Sequence, residues 1–355
     1  MRSVIHAIQT CLLAALCACS GADPAATPPA FGGVAALNAN LSASEPIANY
    51  AAEYRAVAAL GVRGAQTAAP WRSLNPTAST YDLTLLTNPY FGPAALAGYG
   101  FTRIFLNVPV VALTERALPD DLAALPFDDP AVRARLRALL DRVLPLLPDA
   151  VTFLALGNEV DAYFAARPAE WAAFVELVTD ARAHVKSQRP ALAVGVTTTF
   201  AAATGAQAAP IAALNASMDF IALTYYPVDS RSFAPRAPTT VASDVTAMLA
   251  LHPSKPIVLQ EWGYPSSTSL GSDESRQAEF IARSFAAWRA AGATRIPFIG
   301  FFKYRDWNAA HCAAVSGQGA GGSFFEFLCS LGLLRNDGTR KAAYQAFLDQ
   351  LSAGN

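Results

Sequence analysis

The 355-residue sequence has no excess of charge of either sign and few of the side chains that bind transition metals. Its 26 basic and 27 acidic residues give a formal net charge of −1, so it lacks the basic balance that nucleic-acid-binding proteins use to hold phosphates. It has five cysteines, four histidines and no Cys-x-x-Cys pair, which argues against a zinc centre. No metal or organic cofactor is indicated, and the sequence carries no signal for an oligomeric state.

The N-terminal residues are typical of an export signal. Arg2 supplies a positive charge, residues 4–16 form an apolar run, and Leu16-Cys17-Ala18-Cys19 is similar to the lipobox of bacterial lipoproteins, whose last cysteine is acylated. Residues 20–30 are rich in proline and alanine, as in a flexible linker. We therefore expect a signal peptide over 1–19 with Cys19 lipidated, and a protein exported to a bacterial cell envelope that contacts the membrane only through its lipid. An ordinary signal peptide cut nearby, with Cys19 as an incidental thiol, is the alternative.

Two cysteines remain beyond this segment. Cys312 and Cys329 flank the glycine-rich stretch 316–322, and an even pair in an oxidising compartment is typical of a disulfide. We expect a bond between them, with two buried thiols as the alternative.

From residue 31 onward, short apolar runs alternate with longer amphipathic stretches, which is the pattern of strands alternating with helices. The predicted strands are 31–37, 63–69, 102–108, 151–157, 192–198, 219–225, 256–261 and 295–302. The predicted helices are 46–60, 82–98, 131–147, 169–188, 206–216, 239–251, 274–291 and 340–352.

Eight strand-then-helix units indicate an α/β fold, the (β/α)8 TIM barrel, with residues 31–355 as a single domain. An open, doubly wound sheet is the alternative. That fold carries a glycine-rich nucleotide-binding turn after its first strand, whereas Phe31-Gly-Gly33 precedes strand residues.

Two of the predicted strands, the fourth and the seventh, lead into a glutamate. Leu154-Ala-Leu-Gly-Asn-Glu159 and Ile257-Val-Leu-Gln-Glu261 are buried apolar runs whose last residues are polar. Barrels carry their sites at the carboxyl ends of the strands, so both glutamates are expected at one rim. Two carboxyl groups that face each other are what cleavage of a glycosidic bond requires, one to protonate the leaving oxygen and the other to attack or to direct water.

This pair of glutamates resembles the retaining glycoside hydrolases of clan A, the 4/7 superfamily. Gly157-Asn158-Glu159-Val160 and Glu261-Trp-Gly-Tyr-Pro265-Ser266 are similar to motifs of its β-1,3-glucanase and β-1,4-galactanase families. The resemblance implies that Glu159 is the acid/base, that Glu261 is the nucleophile and that Asn158 bonds the sugar 2-hydroxyl. It also implies a tyrosine of strand six beside the nucleophile; alternation along that strand selects Tyr226 and leaves Tyr225 in reserve.

Aromatic side chains that follow other strands are candidates for stacking against sugar rings. They complete the expected substrate-binding set together with one glutamine: Trp71, Trp262, Tyr304, Trp307 and Gln66. Trp307 is expected under the sugar at the cleavage point. Gln66 stands on strand two, where several clan A families carry an arginine that bonds the nucleophile.

The sequence therefore predicts an exported retaining β-glycoside hydrolase that acts on a polysaccharide or oligosaccharide by double displacement. A transglycosylase that uses the same glutamates is one alternative, and a non-catalytic lipoprotein that binds surface glycans is another. The missing strand-two arginine favours the binding protein. The two glutamates, Asn158 and the tyrosines favour hydrolysis.

Overall fold

Eight parallel strands form a barrel in the computed structural model, which describes residues 32–353. They are β1 (Val34–Leu37), β2 (Gly64–Ala68), β3 (Arg103–Asn107), β4 (Val151–Ala155), β5 (Ala193–Gly195 and Thr197–Thr199), β6 (Ile221–Tyr225), β7 (Ile257–Trp262) and β8 (Phe298–Phe301). Each strand pairs with the next in the chain, and β8 pairs with β1. The first part of β5 pairs with β4 and the second part with β6, so the ring closes through β5 and the predicted (β/α)8 barrel is confirmed.

Helices cover the outside of this barrel and its upper loops. They are α1 (Asn49–Ala59), α2 (Trp71–Leu74), α3 (Pro93–Gly98), α4 (Pro130–Val143), α5 (Asp161–Ala166), α6 (Trp171–Gln188), α7 (Phe200–Ala203), α8 (Ala208–Ala216), α9 (Val241–Ala250), α10 (Glu274–Ala291), α11 (Ala309–Ser316), α12 (Ser323–Leu328) and α13 (Ala342–Ser352). A small hairpin pairs Val111–Ala112 with Glu115–Arg116. None of these helices has the length and apolarity that crossing a membrane requires.

The largest difference from the sequence prediction is the second helix. Residues 82–98 were expected to be helical, but only Pro93–Gly98 are. The Asn88 side chain accepts hydrogen bonds from the backbone N–H groups of Tyr90 and Phe91, a local turn that competes with helix. Pro93 then starts the helix at its first position, where its missing N–H costs nothing.

The lower half of the barrel interior is apolar. Phe105, Phe153, Phe220 and Phe298 come from four different strand regions, with ring centroids 5.2–6.5 Å apart. Gly195 makes room for one of these rings, since a Cβ there would lie 2.6 Å from Phe220. These rings form the floor beneath the site.

The next inward-facing positions along the strands are polar. Because alternate residues of a strand share a face, the side chains two positions beyond the apolar floor form one layer near the carboxyl ends: Asn38, Asn107, Thr197, Thr224 and Gln260, all buried. A hydrogen-bonding layer therefore lies between the apolar floor and the mouth.

A disulfide joins Cys312 in α11 to Cys329 at the end of α12, with Cα atoms 5.8 Å apart. This confirms the predicted pairing. The predicted signal peptide, lipidated Cys19 and linker over residues 20–30 lie outside the described residues.

Candidate active site

A bulge in β7 turns Glu261 into the mouth of the barrel. Val258 faces the interior and Leu259 faces the helices, so strict alternation would put Gln260 inside and Glu261 outside. The pairing of β7 shifts register between Leu259 and Glu261, which is the effect of an extra residue in one strand. Gln260 and Glu261 consequently line the same cavity, and Trp262 takes the outward position.

Glu159 is positioned by an unusual backbone conformation just beyond β4. Its φ of 47° lies in the left-handed region, which residues other than glycine seldom adopt. Such conformations persist where surrounding contacts hold them, and they cluster at functional sites. Here the N–H of Val160 donates to the carbonyl of Thr197, and the Thr224 hydroxyl donates to Glu159 Oε1 at 2.6 Å.

The two carboxyl groups influence each other across the mouth. Burial raises the pKa of Glu159, and the nearby charge of Asp161 raises it further. Burial and the charge of Glu159 raise the pKa of Glu261 to about 8. Two interacting carboxyls release their protons in separate steps, so the pair keeps one proton near neutral pH.

The hydroxyl of Tyr226 donates a hydrogen bond of 2.7 Å to Glu261 Oε2. This bond lowers the pKa of Glu261 and so favours the carboxylate. Burial and the charge of Glu261 raise the pKa of Tyr226, which keeps its proton available. Gly263 allows the contact, because a Cβ there would lie 2.7 Å from the Tyr226 ring.

Asn158 is held by two amide donors. Its Oδ1 accepts hydrogen bonds from Gln260 Nε2 at 2.7 Å and from Asn107 Nδ2 at 3.2 Å. Gln260 in turn accepts a bond from the Thr197 hydroxyl. With its oxygen fixed in this way, the side chain of Asn158 presents its N–H groups to the mouth.

Two cavities flank the glutamates. The smaller, about 300 Å³, has Glu261 in its wall and is otherwise mostly amide and apolar: Asn40, Gln66, Asn107, Asn158, Gln260 and Phe302 are among its lining residues. The larger, about 620 Å³, has Glu159 in its wall, with Thr199, Phe200, Tyr226 and Arg236 among the others. A ligand that bridges the two cavities would contact both carboxyl groups.

Four aromatic residues expected to contact substrate are buried instead. Trp71 and Trp262 are 0% and 1% exposed; Trp262 Nε1 donates to Ser284 on α10. Tyr225 packs against Trp262, and its hydroxyl donates to Asp244 on α9. Tyr304 is also buried in the layer between barrel and helices. The expectation that Trp71, Trp262 and Tyr304 are sugar platforms is therefore corrected. Tyr225, the reserve for the bond to Glu261, donates to Asp244 instead, although it also lines the larger cavity.

The structure places other aromatic rings at the cavities. Phe302 lines the smaller cavity and Phe200 the larger one. Trp307, expected under the sugar, contacts Phe302 and donates to the carbonyl of Asn40, but one face of its ring carries the ammonium of Lys303. Phe200 and Phe302 escaped the sequence prediction because phenylalanines are common in cores.

Gln66 lies where the sequence placed it, on the inner face of β2 and in the wall of the smaller cavity. Its Oε1 is buried and has no hydrogen-bond partner among the described residues. Thr224, Gln260 and Lys303 belong to the same site and were not predicted. The signal for Gln260 was present, as a polar residue inside an apolar strand. Within residues 32–353, no group of three or more histidine, cysteine or acidic side chains is arranged to hold a metal ion.

No protein-family model and no curated protein sequence matches the chain, but solved structures share its fold. An exo-β-1,4-mannosidase from Opitutaceae bacterium strain TAV5 aligns with a TM-score of 0.69 and 17% identity, over 90% of this chain and 59% of that one. A GH5_18 protein of Streptomyces cattleya, in complex with Manβ1-4GlcNAc, aligns with a TM-score of 0.69 and 18% identity, over 90% and 80% of the two chains. A family 39 glycoside hydrolase from Bacteroides cellulosilyticus WH2 aligns with a TM-score of 0.65 and 16% identity, over 91% and 64%.

At these identities the comparison shows a common fold. The chain has the (β/α)8 barrel found in glycoside hydrolases, as the resemblance to clan A implied. The chain spans only about three fifths of the Opitutaceae mannosidase. The finer similarity to β-1,3-glucanases and β-1,4-galactanases stays a prediction.

Proposed function

We propose that the protein is a retaining β-glycoside hydrolase in which Glu159 is the acid/base and Glu261 is the nucleophile. The observation that carries this proposal is a pair of partly buried carboxyl groups that interact electrostatically, one in the wall of each cavity. Retention requires one of them to be ionised and the other protonated when the substrate arrives. The barrels that share this fold support the same reaction class.

The hydrogen-bond donors and charges around Glu159 and Glu261 decide which of the two carboxyl groups holds the proton that they share. Glu261 accepts a hydrogen bond from Tyr226 and feels the positive charge of Lys303, and both lower its pKa. The Thr224 hydroxyl lowers the pKa of Glu159, but the charge of Asp161 raises it. The pKa of about 8 describes the loss of the last proton that the coupled pair holds, and it belongs to the pair and not to one residue. Within the pair, these partners favour the charge on Glu261 and the shared proton on Glu159, as the two proposed roles require.

The reaction then proceeds in two displacements. Glu261 attacks the anomeric carbon and forms a glycosyl ester, while Glu159 gives its proton to the leaving oxygen. Glu159, now ionised, removes a proton from water, which attacks the anomeric carbon and releases Glu261 as a carboxylate. The N–H groups of Asn158 are placed to bond the 2-hydroxyl, a contact that strengthens in the transition state.

The cavities suggest how the substrate lies. The amide-rich cavity beside Glu261 suits the hydroxyl groups of an uncharged glycosyl unit, and the cavity beside Glu159 suits the leaving group. The bound ligand of the Streptomyces cattleya protein, Manβ1-4GlcNAc, makes β-mannosides the first substrates to test. We propose a neutral β-linked oligosaccharide or polysaccharide as the substrate.

The test is a panel of aryl β-glycosides and oligosaccharides, β-mannosides included, with Glu159→Ala and Glu261→Ala. Removal of an acid/base group costs about 10²–10⁴ in rate, and loss of the nucleophile should cost at least as much. Azide should rescue Glu261→Ala and give an inverted product. A 2-deoxy-2-fluoro glycoside should label Glu261, as read by mass spectrometry.

Glu279→Ala is the matched control, because Glu279 pairs with Arg283 on the exposed face of α10. It should keep the activity of the wild type. Turnover by either active-site variant at the wild-type rate would overturn the role assignment. Glycan binding without turnover of any substrate would favour the non-catalytic alternative, and transfer of the sugar to an acceptor sugar in place of water would identify a transglycosylase.

We also propose that the protein is exported and lipid-anchored through Cys19. The support is the sequence of residues 1–30 alone. Incorporation of a labelled fatty acid into the wild type and not into Cys19→Ser would establish the anchor. A soluble, unlabelled wild-type protein would remove it.

A further inference from the structure

Lys303 is a buried lysine beside the proposed nucleophile. It follows β8 and is 1% exposed. Its Nζ donates to the carbonyl of Leu328 at 2.5 Å and lies 3.2 Å from the centroid of the Trp307 ring. Both contacts suit an ammonium group, but neither carries a full negative charge. A buried cation is costly unless an anion is close to it.

The nearest carboxylate along the chain is already engaged. Asp306 Oδ2 forms a salt bridge of 2.6 Å with Lys341, and its Oδ1 accepts a hydrogen bond from the Gly332 N–H. Lys341 also donates to the Ser266 hydroxyl. Asp306 and Lys341 therefore neutralise each other, and Lys303 is left without an ion partner in that cluster.

Glu261 is the remaining carboxylate that interacts with Lys303. The residues that follow β8 are fixed against the end of β7, next to Glu261, because the Phe302 N–H donates to the carbonyl of Trp262 at 3.1 Å. The titratable groups that act on Lys303 are Asp306, Lys341 and Glu261, and Lys303 in turn acts on His311. Among these only Glu261 is acidic and outside the Asp306–Lys341 pair.

We propose that Lys303 is a positioning residue that supplies the fixed positive charge for the Glu159–Glu261 pair, in place of the arginine that β2 lacks. The proposal rests on the proposed function. In the resting enzyme the pair carries one negative charge, on Glu261. In the glycosyl ester Glu261 is neutral and Glu159 is ionised, so the pair again carries one negative charge. A single fixed cation offsets the charge at both stages.

The electrostatics of the two groups agree with this arrangement. Burial lowers the pKa of Lys303 well below its usual value, while the charges of Asp306 and Glu261 oppose that shift. The Leu328 carbonyl and the face of the Trp307 ring stabilise the ammonium form against this cost. In return the charge of Lys303 lowers the pKa of Glu261. Loss of the ammonium should therefore raise the pKa of Glu261 and make the carboxylate harder to form.

The test compares the pH dependence of kcat/KM in Lys303→Met, Lys303→Arg and the wild type. Loss of a nearby opposite charge raises a carboxyl pKa, so the acidic limb of kcat/KM in Lys303→Met should move to higher pH. Lys303→Arg keeps the charge and should keep the limb near its wild-type position. If Lys303→Met does not fold, Lys303→Gln keeps a donor for the Leu328 carbonyl without the charge.

Lys255→Met is the matched control. Its Nζ also donates to backbone carbonyls, those of Asn215, Ala216 and Met218, but Lys255 precedes β7 at the opposite end of the barrel. It should lose stability without any change in the pH profile. An active Lys303→Met with an unmoved acidic limb would overturn the proposal.

A second readout separates this inference from the proposed function. Carbon-13 NMR of labelled glutamate carboxyls, with Glu261→Gln for assignment, follows the titration of Glu261 without any substrate. A higher Glu261 pKa in Lys303→Met supports the charge pairing even if no glycoside is cleaved. An unchanged titration in an enzyme whose turnover requires both glutamates would overturn the role of Lys303 alone.

Discussion

If the proposed activity is correct, removal of one hydroxyl group should move its pH profile by a measurable amount. Tyr226 donates to Glu261 Oε2 at 2.7 Å, and the bond favours the carboxylate. A hydrogen bond to a charged group contributes about 1.5–3 kcal/mol, and 1.36 kcal/mol corresponds to about one pKa unit. In Tyr226→Phe the pKa of Glu261 should therefore rise by about 1–2 units. Since the ionised form attacks in the proposed mechanism, the acidic limb of kcat/KM should move to higher pH by the same amount.

The neighbouring tyrosine provides the control. Tyr225 has the same chemistry, but its hydroxyl donates to Asp244 on the outer side of the barrel. Tyr225→Phe should lower the free energy of unfolding and leave the acidic limb in place. The measurement is kcat/KM on the best substrate across the pH range in which both variants stay folded. An acidic limb that moves in Tyr225→Phe, or one that stays fixed in Tyr226→Phe, would refute this account of the site.

Three further changes test the surroundings of the site. The Glu159–Glu261 pair loses its last proton with a pKa of about 8, raised from 4.5, so folding favours the form that keeps this proton and stability is lost as pH rises through that window. Glu261→Gln removes the interaction between the two carboxyls and should gain in Tm relative to the wild type from acid to alkaline pH, and a constant difference would contradict the shift. In Gly263→Ala the added Cβ would meet the Tyr226 ring at 2.7 Å, so urea unfolding should show a loss of about 1–3 kcal/mol, with the acidic limb displaced as in Tyr226→Phe. Replacement of Cys312 and Cys329 by serine opens a loop with a sequence separation of 17, and chemical unfolding should show a loss of about 3 kcal/mol; equal stability with and without reductant in the wild type would show that the bond does not form.

The barrel and the strand positions of the two glutamates could be predicted because they depend on periodicity. Each of the eight predicted strands is found, with ends that differ by at most three residues. The same alternation correctly put Tyr226 and Tyr225 on opposite faces of β6, since one bonds Glu261 and the other bonds Asp244. Periodicity is a local property, so one sequence is enough to read it.

The orientation of side chains beyond the strand ends could not be read in this way. Trp262 stands beside Glu261 in sequence, yet the bulge in β7 turns Trp262 toward α10 and turns Glu261 inward. A bulge adds one residue without any composition signal. The left-handed backbone conformation of Glu159 likewise has no signal in the sequence. Both carboxyl groups thus owe their direction to backbone irregularities that periodicity cannot reveal.

The absence of an arginine on β2 can be understood from the order of the strands. β8 is the neighbour of β7, whereas β1 and β8 separate β2 from β7. A cation that follows β8 therefore lies one strand from the proposed nucleophile, Glu261. With Lys303 in that role, the position on β2 is free for a neutral side chain, and Gln66 places a buried oxygen without a protein partner in the wall of the smaller cavity. Gln66→Ala should then raise KM for a neutral sugar and leave the acidic limb of kcat/KM unmoved, whereas Lys303→Met moves the limb. A Gln66→Ala variant that shifts the limb would return the charge-stabilising role to β2.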